Sequence, residues 1–189
     1  MANLWAHSAN VANQRQLLVD HLRGTAALAG AFGLEFGAEE FCRVAGLVHD
    51  LGKMIEPWQD YLILSEKGFA SKSVNHKTAG AHLFKCIAGE PGRLIIEGHH
   101  SGIPNWNEPL ADNVLDIDRD RLVADLAPAL LPELEGLLAA GNVVPETWRV
   151  WGRDDHTALE LGIRLAHSAL VDADFLDTSA HFSASPVPL

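Results

Sequence analysis

The stretch GLVHDLGK, Gly46 to Lys53, ends an apolar helical run with a histidine beside an aspartate. Apolar side chains before it recur at helical spacing, which predicts a buried helix over about residues 38–49. Polar groups at such a position, here His49 and Asp50, form either a helix end of no special function or part of a metal site. The rest of the chain has to distinguish between these two interpretations.

Length and composition indicate one globular domain. The chain has 189 residues, of which 48% are hydrophobic and 21% charged, values that are ordinary for a soluble protein with its own core. No apolar stretch approaches the ~20 residues of a membrane span, and no secretion signal begins the chain. The two cysteines, Cys42 and Cys86, form no CxxC pair. We therefore expect a reduced, cytoplasmic protein without a membrane partner and without a thiolate zinc site.

The formal net charge of −11 argues against a protein that coats nucleic acid by bulk electrostatics. One segment differs from this total, because five cations face only two carboxylates between residues 66 and 93. It forms either a basic face beside a functional site or an ordinary solvated helix surface. The five cations are Lys67, Lys72, Lys77, Lys85 and Arg93.

Helical periodicity extends through nearly the whole chain, and no strand-like alternation of useful length interrupts it. Residues 105–120 are rich in Asn, Asp and Pro, which predicts an irregular segment. The fold class is therefore all-α, a helical bundle. The predicted helices cover about residues 12–32, 38–49, 56–65, 76–88, 93–99, 121–140 and 155–177.

Several polar side chains fall on stripes that should face the core. Asp174 lies one helical turn beyond Leu170 on an apolar stripe, and His21 has a similar position on the first helix. A buried, unpaired carboxylate is costly, so Asp174 must meet a cation, a metal or several donors. Each residue alone is more often a hydrogen-bonded core residue, but five segments each supply such a group. The full set is His21, His49, Asp50, His76, His99, His100 and Asp174.

Facing helices can place such residues around metal ions in the core of a bundle. Nitrogen and oxygen ligands without sulfur suit Mn, Fe, Co or Ni, with Zn or Mg as further candidates. Seven ligands suffice for two divalent ions if one carboxylate bridges, and Asp50 is the natural bridge. We expect His21, His49, Asp50 and Asp174 around one ion, and Asp50, His76, His99 and His100 around the other.

The order of these residues resembles the HD phosphohydrolase superfamily, in which a histidine, an HD pair and a late aspartate follow one another. More narrowly, the chain resembles the HD nuclease domain of the CRISPR type I helicase-nuclease over about residues 4–182. The motifs that carry this resemblance are LWAHS (residues 4–8), DHL (20–22), HDLGK (49–53), WQDYL (58–62), NHKTAGA (75–81), HHSGIP (99–104) and LVDADFLDTS (170–179).

The resemblance implies a domain at residues 1–182, followed by a tail or the start of a linker at 183–189. It implies the same seven metal ligands, with Asp50 and Lys53 as catalytic residues. Lys53 would contact phosphate or a metal-coordinated water, although a lysine at a helix end also needs no function. Independently of the resemblance, Ser101 either donates to a phosphate or caps the turn that follows His100. The tryptophans Trp5, Trp58 and Trp106 could stack on single-stranded bases, although packing is the commoner role.

By the same resemblance the protein is a prokaryotic, metal-dependent deoxyribonuclease that cuts mainly single-stranded DNA in antiviral defence. Its expected partners are a helicase domain or subunit and the CRISPR RNA-guided effector complex. Met54 follows Lys53 where an ATP-binding loop needs Ser or Thr, so we expect no ATP motor here. The chain is then either a standalone nuclease subunit or the front end of a longer protein.

Three other functions use the same residues differently. A phosphohydrolase of the superfamily would act on nucleotides or cyclic nucleotides, although SGIPNW follows His100 where the cyclic-di-GMP branch carries GYP. A di-iron oxygenase would leave the nuclease-like motifs unexplained. A helical adaptor would use the metal only for stability, but structural metal sites are closed, whereas this one is expected to stay open to water and substrate.

Overall fold

A computed structural model describes residues 3–69, 74–105 and 143–185, and most of these residues are helical. This confirms the prediction of a helical bundle. The predicted segments 105–120 and 121–140 lie outside the described residues, apart from Asn105. The helices are α1 (Leu18–Leu34), α2 (Glu39–Val48), a 3₁₀-helix (Leu51–Met54), α3 (Glu56–Glu66), α4 (Lys77–Gly98), α5 (Glu146–Asp154) and α6 (His156–Ser183).

A short hairpin precedes α1, and the sequence pattern missed it. Strands β1 (Trp5–His7) and β2 (Gln16–Leu17) pair antiparallel, with His7 opposite Gln16. The predicted start of the first helix at about residue 12 was therefore wrong, because residues 12–15 are irregular and Gln16–Leu17 pair with β1 before the helix begins at Leu18. Two-residue strands are too short to show the alternation by which a strand is recognised.

Helix α4 contains the two helices that the sequence predicted at 76–88 and 93–99, joined across a break. Gly89 has a φ of 67°, a conformation that favours glycine, and Pro91 follows it. At the start of α4, Asn75 Oδ1 accepts hydrogen bonds from the backbone nitrogens of Lys77 and Thr78, at 3.1 and 3.3 Å. Asn75 thus satisfies two backbone N–H groups at the start of the helix that have no partner within it.

The last two helices differ from expectation in extent. Helix α5 was not predicted; it buries Trp148, whose ring centroid lies 4.8 Å from that of Phe41. Helix α6 begins where expected but continues to Ser183, six residues past its predicted end. Residues 186–189 of the predicted tail lie outside the described part of the chain.

The core lies mainly between α1, α2, α4 and α6, with α1 packed most extensively on α2. Gly46 allows this close approach, because a Cβ atom there would lie 2.6 Å from the Ala26 Cα atom. The end of α2, which carries His49 and Asp50, is thereby held against α1. None of the helices in the described ranges is long and apolar enough to cross a membrane.

Candidate metal centre

All seven side chains that the sequence analysis proposed as ligands lie in one region between the helices. Helix α1 contributes one, the end of α2 two, the start and end of α4 three, and α6 the last. The seven are His21, His49, Asp50, His76, His99, His100 and Asp174. The arrangement fits a metal site between facing helices, while the assignment of each residue as a ligand stays a prediction.

Asp50 lies at the centre of this region, and each of its oxygens faces a different pair of histidines. Its Oδ1 atom is 3.5 Å from Nε2 of both His76 and His99. Its Oδ2 atom is 3.4 Å from Nε2 of both His21 and His49. These separations exceed an ordinary N–H···O hydrogen bond, so the atoms face one another across gaps. Asp50 therefore has the geometry of a bridging carboxylate.

Two further residues complete the two groups. Asp174 Oδ1 lies 3.4 Å from His21 Nε2 and 3.7 Å from His49 Nε2, on the Oδ2 side of Asp50. On the other side, His100 Nε2 lies 3.0 Å from His76 Nε2. Within each group of four residues, the potential ligand atoms lie within 4.8 Å of one another. Each group offers enough donors for one ion, and Asp50 belongs to both.

Two glycines let α4 approach the end of α2 closely enough to form this arrangement. A Cβ at Gly80 would lie 2.0 Å from the Val48 carbonyl oxygen, and one at Gly52 would lie 2.3 Å from the His76 carbonyl oxygen. The Gly52 N–H also donates to that carbonyl, at 3.1 Å. Glycine at position 52 therefore admits the backbone of His76, which any larger residue would exclude.

Backbone carbonyls orient two of the buried imidazoles. His49 Nδ1 donates to the Gly46 carbonyl at 2.8 Å, and His99 Nδ1 donates to the Ile96 carbonyl at 2.5 Å. A carbonyl can only accept, so in each neutral ring the proton is on Nδ1 and the lone pair is on Nε2. That is the state in which Nε2 binds a metal, and such outer hydrogen bonds are typical of metal-ligating histidines.

Several buried polar atoms of the site lack a hydrogen-bond partner among the described residues. They are Nε2 of His21, His49 and His99, and the Oδ1 oxygen of Asp50. Lys53 Nζ does form an ion pair with Asp50 Oδ2, at 2.5 Å. Buried polar groups are normally satisfied, so a converging set of unpaired nitrogens and oxygens fits a metal site. Nitrogen and oxygen donors also suit divalent transition metals.

The protonation states reflect the crowding of charge. Burial would lower the pKa of His49, but the charges of Asp50 and Asp174 outweigh it and raise that pKa to about 10. Burial would raise the pKa of Asp50, but Lys53 and His49 hold it well below its usual range. Burial and the nearby His99 lower the pKa of His100 to about 4. A metal ligand must be deprotonated, so a bound ion would displace the His49 proton.

The other predicted functional residues differ in their exposure and in their distance from the site. Lys53 lies inside the site and is only 5% exposed, with Nζ 5.1 Å from the centroid of the Trp58 ring. Trp58 is itself 5% exposed, so its ring is not available to stack on a base. Ser101 is exposed beside His100, and its Oγ lies 3.3 Å from Lys77 Nζ. The roles of Lys53 and Ser101 in catalysis or substrate binding stay predictions, and Trp106 lies outside the described residues.

Comparison with known families identifies the architecture. A family model described as HD domain matches residues 18–127, more than half of the chain. The chain is an HD-domain protein. The HD domain family consists of metal-dependent phosphohydrolases, in agreement with the cluster of histidines and aspartates. The match includes six of the seven clustered residues and excludes Asp174, which the fold alone brings to the site. No match was found among curated proteins.

The structure adds residues that the sequence analysis undervalued. Asp177, which is not one of the seven predicted ligands, lies 2.7 Å from the Nδ1 atom of His21. Gln16, which was not considered, lies 2.7 Å from both Asp177 and His7. The only sequence signal for Asp177 is its position on the inward stripe of α6. Gln16 offers none, because its contacts depend on the unpredicted hairpin.

Proposed function

We propose that this HD domain is a metal-dependent nuclease that hydrolyses phosphodiester bonds of DNA, chiefly single-stranded, in CRISPR type I antiviral defence. The observation that carries the proposal is the geometry of Asp50, whose two oxygens each face a separate group of histidines. Two divalent transition-metal ions would be held by those two groups. A dinuclear site of this kind suits phosphodiester hydrolysis.

Two bound ions supply an activated water and neutralise negative charge on the phosphoryl oxygens. The residues of the chain prepare the site for this chemistry. Asp50 would bind both ions, and its burial would exclude water that weakens the electrostatic interactions. Lys53, held by Asp50 at 2.5 Å, adds a positive charge where a phosphate oxygen would enter.

One side of the site is open to solvent, as a catalytic site requires. The side chains of His21, His49 and Asp50 are at most 1% exposed. By contrast, the His76 and Asp174 side chains are 18% and 14% exposed, and His100 is an exposed residue. A substrate would approach over His76, His100 and Asp174. A closed structural metal site would not need such an opening.

The proposal of DNA as the substrate rests on the resemblance of the flanking motifs rather than on charge. Ser101 of the HHSGIP motif and Lys77 of the NHKTAGA motif lie 3.3 Å apart beside the open side, where both would be within reach of a phosphate. By the same resemblance, a helicase domain or subunit and the CRISPR RNA-guided effector complex would deliver the single strand. The acidic net charge fits a nuclease that receives its substrate from such a partner.

A second candidate function is hydrolysis of nucleotides or cyclic nucleotides, and one observation favours it. Two cations of the proposed basic face already form ion pairs within the protein. Lys85 Nζ forms an ion pair with Glu90 at 2.5 Å, and Arg93 pairs with Glu90 and Glu97. These contacts leave less positive charge for a long nucleic acid than for a single phosphate group.

Incubation with circular single-stranded DNA, with and without manganese, separates the two candidates. The nuclease proposal expects linear and shorter products only with metal, and none from the Asp50→Asn variant. His156→Ala, which changes an exposed histidine away from the cluster, should cut within a fewfold of the unaltered protein. Product released from mononucleotides but not from DNA would reject the nuclease and support the second candidate.

A further inference from the structure

Asp177 occupies a position that the metal groups themselves do not explain. It lies on α6, three residues after Asp174, and is 8% exposed. Its Oδ2 atom is 2.7 Å from His21 Nδ1 and 2.7 Å from Gln16 Nε2. One buried carboxylate oxygen is thus shared between a proposed ligand on α1 and the hairpin strand β2.

The chemistry of this carboxylate fixes the direction of both hydrogen bonds. An ionised carboxylate only accepts, so His21 Nδ1 must donate to it. A neutral imidazole carries one proton, which leaves the lone pair of His21 on Nε2. That atom faces Asp50 and Asp174, at 3.4 Å from each. Asp177 therefore aims the metal-binding atom of His21 into the site.

The same reasoning extends through Gln16 to a second histidine. The amide nitrogen of Gln16 must face Asp177, so its Oε1 atom is the one that lies 2.7 Å from His7 Nδ1. An amide oxygen only accepts, so His7 Nδ1 must donate and His7 Nε2 keeps the lone pair. That atom lies 3.4 Å from Lys53 Nζ, close enough to restrain the ammonium group.

We propose that Asp177 is a positioning residue that sets the tautomers of two histidines, His21 directly and His7 through Gln16. Its carboxylate prepares His21 to bind a cation and prepares His7 to hold Lys53. This inference rests on the metal site of the proposed function, but not on the identity of the substrate. A carboxylate that orients a ligating histidine raises its basicity and fixes its ring.

The packing around Asp177 leaves a space that its carboxylate fills. A Cβ atom at Gly24 of α1 would lie 2.1 Å from Asp177 Oδ1. Glycine inside a helix is less stable than alanine, so the first helix gives up stability where it admits this carboxylate. The hairpin closes the other side, because His7 and Gln16 are paired across β1 and β2.

The test reads the tautomers in metal-free protein, so it does not depend on DNA cleavage. Nitrogen–proton correlation spectra of the histidine rings at mildly alkaline pH should show His21 and His7 protonated on Nδ1. Asp177→Ala should shift both rings toward the Nε2-protonated form and weaken manganese binding about 10–100-fold. Asp177→Asn, whose amide oxygen can still accept both bonds, should keep the tautomers and lose less affinity. Asp172→Ala, which removes an exposed carboxylate from the same helix, should change neither.

Gln16→Leu removes only the connection between Asp177 and His7. It tests the proposal even if Asp177→Ala does not fold. It should change the tautomer of His7, leave that of His21 unchanged, and alter manganese affinity by less than about threefold. Unchanged histidine tautomers in Asp177→Ala, or in Gln16→Leu at His7, would overturn the proposal. A protein that passes both tests but cuts no DNA would reject the nuclease function and leave the role of Asp177 intact.

Discussion

Replacing Asp50 with asparagine tests the bridge directly. Asparagine has nearly the same volume but presents one oxygen and one NH₂ donor, so it cannot bind two cations at once. Ions at ~100 times their dissociation constants should stabilise the unaltered protein by about 2.7 kcal/mol each, or about 5 kcal/mol for two. For a domain of this size, that corresponds to a rise in Tm of about 10–20 °C. Because Asp50 faces both groups, Asp50→Asn should lose nearly all of this rise, whereas His76→Gln should lose about half.

The assay is thermal unfolding over a manganese titration, combined with counting of bound ions by elemental analysis. Each variant is compared with its own metal-free form, so a change in basal stability does not affect the result. The control is Asp60→Asn, which alters an exposed carboxylate on α3 and should keep the full rise in Tm. If Asp50→Asn still binds one ion with half of the rise, Asp50 serves only one group and the bridge is wrong.

Two further predictions concern the scaffold. Gly80→Ala would place a methyl group 2.0 Å from the Val48 carbonyl oxygen and should lower the free energy of unfolding by about 1–3 kcal/mol or more in urea. Gly152→Ala, whose Cβ would make only an ordinary 3.6 Å contact, should leave that free energy unchanged or raise it by up to ~1 kcal/mol, and an equal loss in both variants would contradict the argument. Burial raises the pKa of Cys42 to about 12, so iodoacetamide at mildly alkaline pH should label the exposed Cys86 and spare Cys42 in the native protein. Mass spectrometry of labelled peptides measures this, and rapid native labelling of Cys42 would refute its burial.

Most residues of the candidate metal centre could be predicted from the sequence. A charged or titratable side chain on an apolar helical stripe is unusual, because it is expected to be buried in the core. His21 and Asp174 are recognisable for this reason from the sequence alone. The His49–Asp50 dipeptide is common by chance, so it indicates a metal site only in combination with those residues. Helical periodicity then predicted a bundle, which the structure confirms.

Residues that act through tertiary contacts gave no comparable signal. Gln16 is an ordinary polar residue until β2 pairs with β1 and places it between Asp177 and His7. Gly52 matched the pattern of a helix end, yet its role depends on a carbonyl of α4 that is distant in the sequence. Periodicity reports which face of an element is buried, but not which element covers that face.

The two glycine contacts also explain why this site is both buried and assembled from distant segments. Gly80 and Gly52 let α4 meet the end of α2 backbone to backbone, which leaves Asp50 enclosed by imidazoles rather than by water. An unsatisfied buried polar group costs about 1–3 kcal/mol, so the unpaired atoms around Asp50 oppose folding. Bound ions would satisfy those atoms, and folding and metal binding would then stabilise each other. Lys53, paired with Asp50, offsets part of the carboxylate charge within the chain itself. The packing of the helical core therefore has to offset this cost and keep the proposed ligands in position before an ion binds.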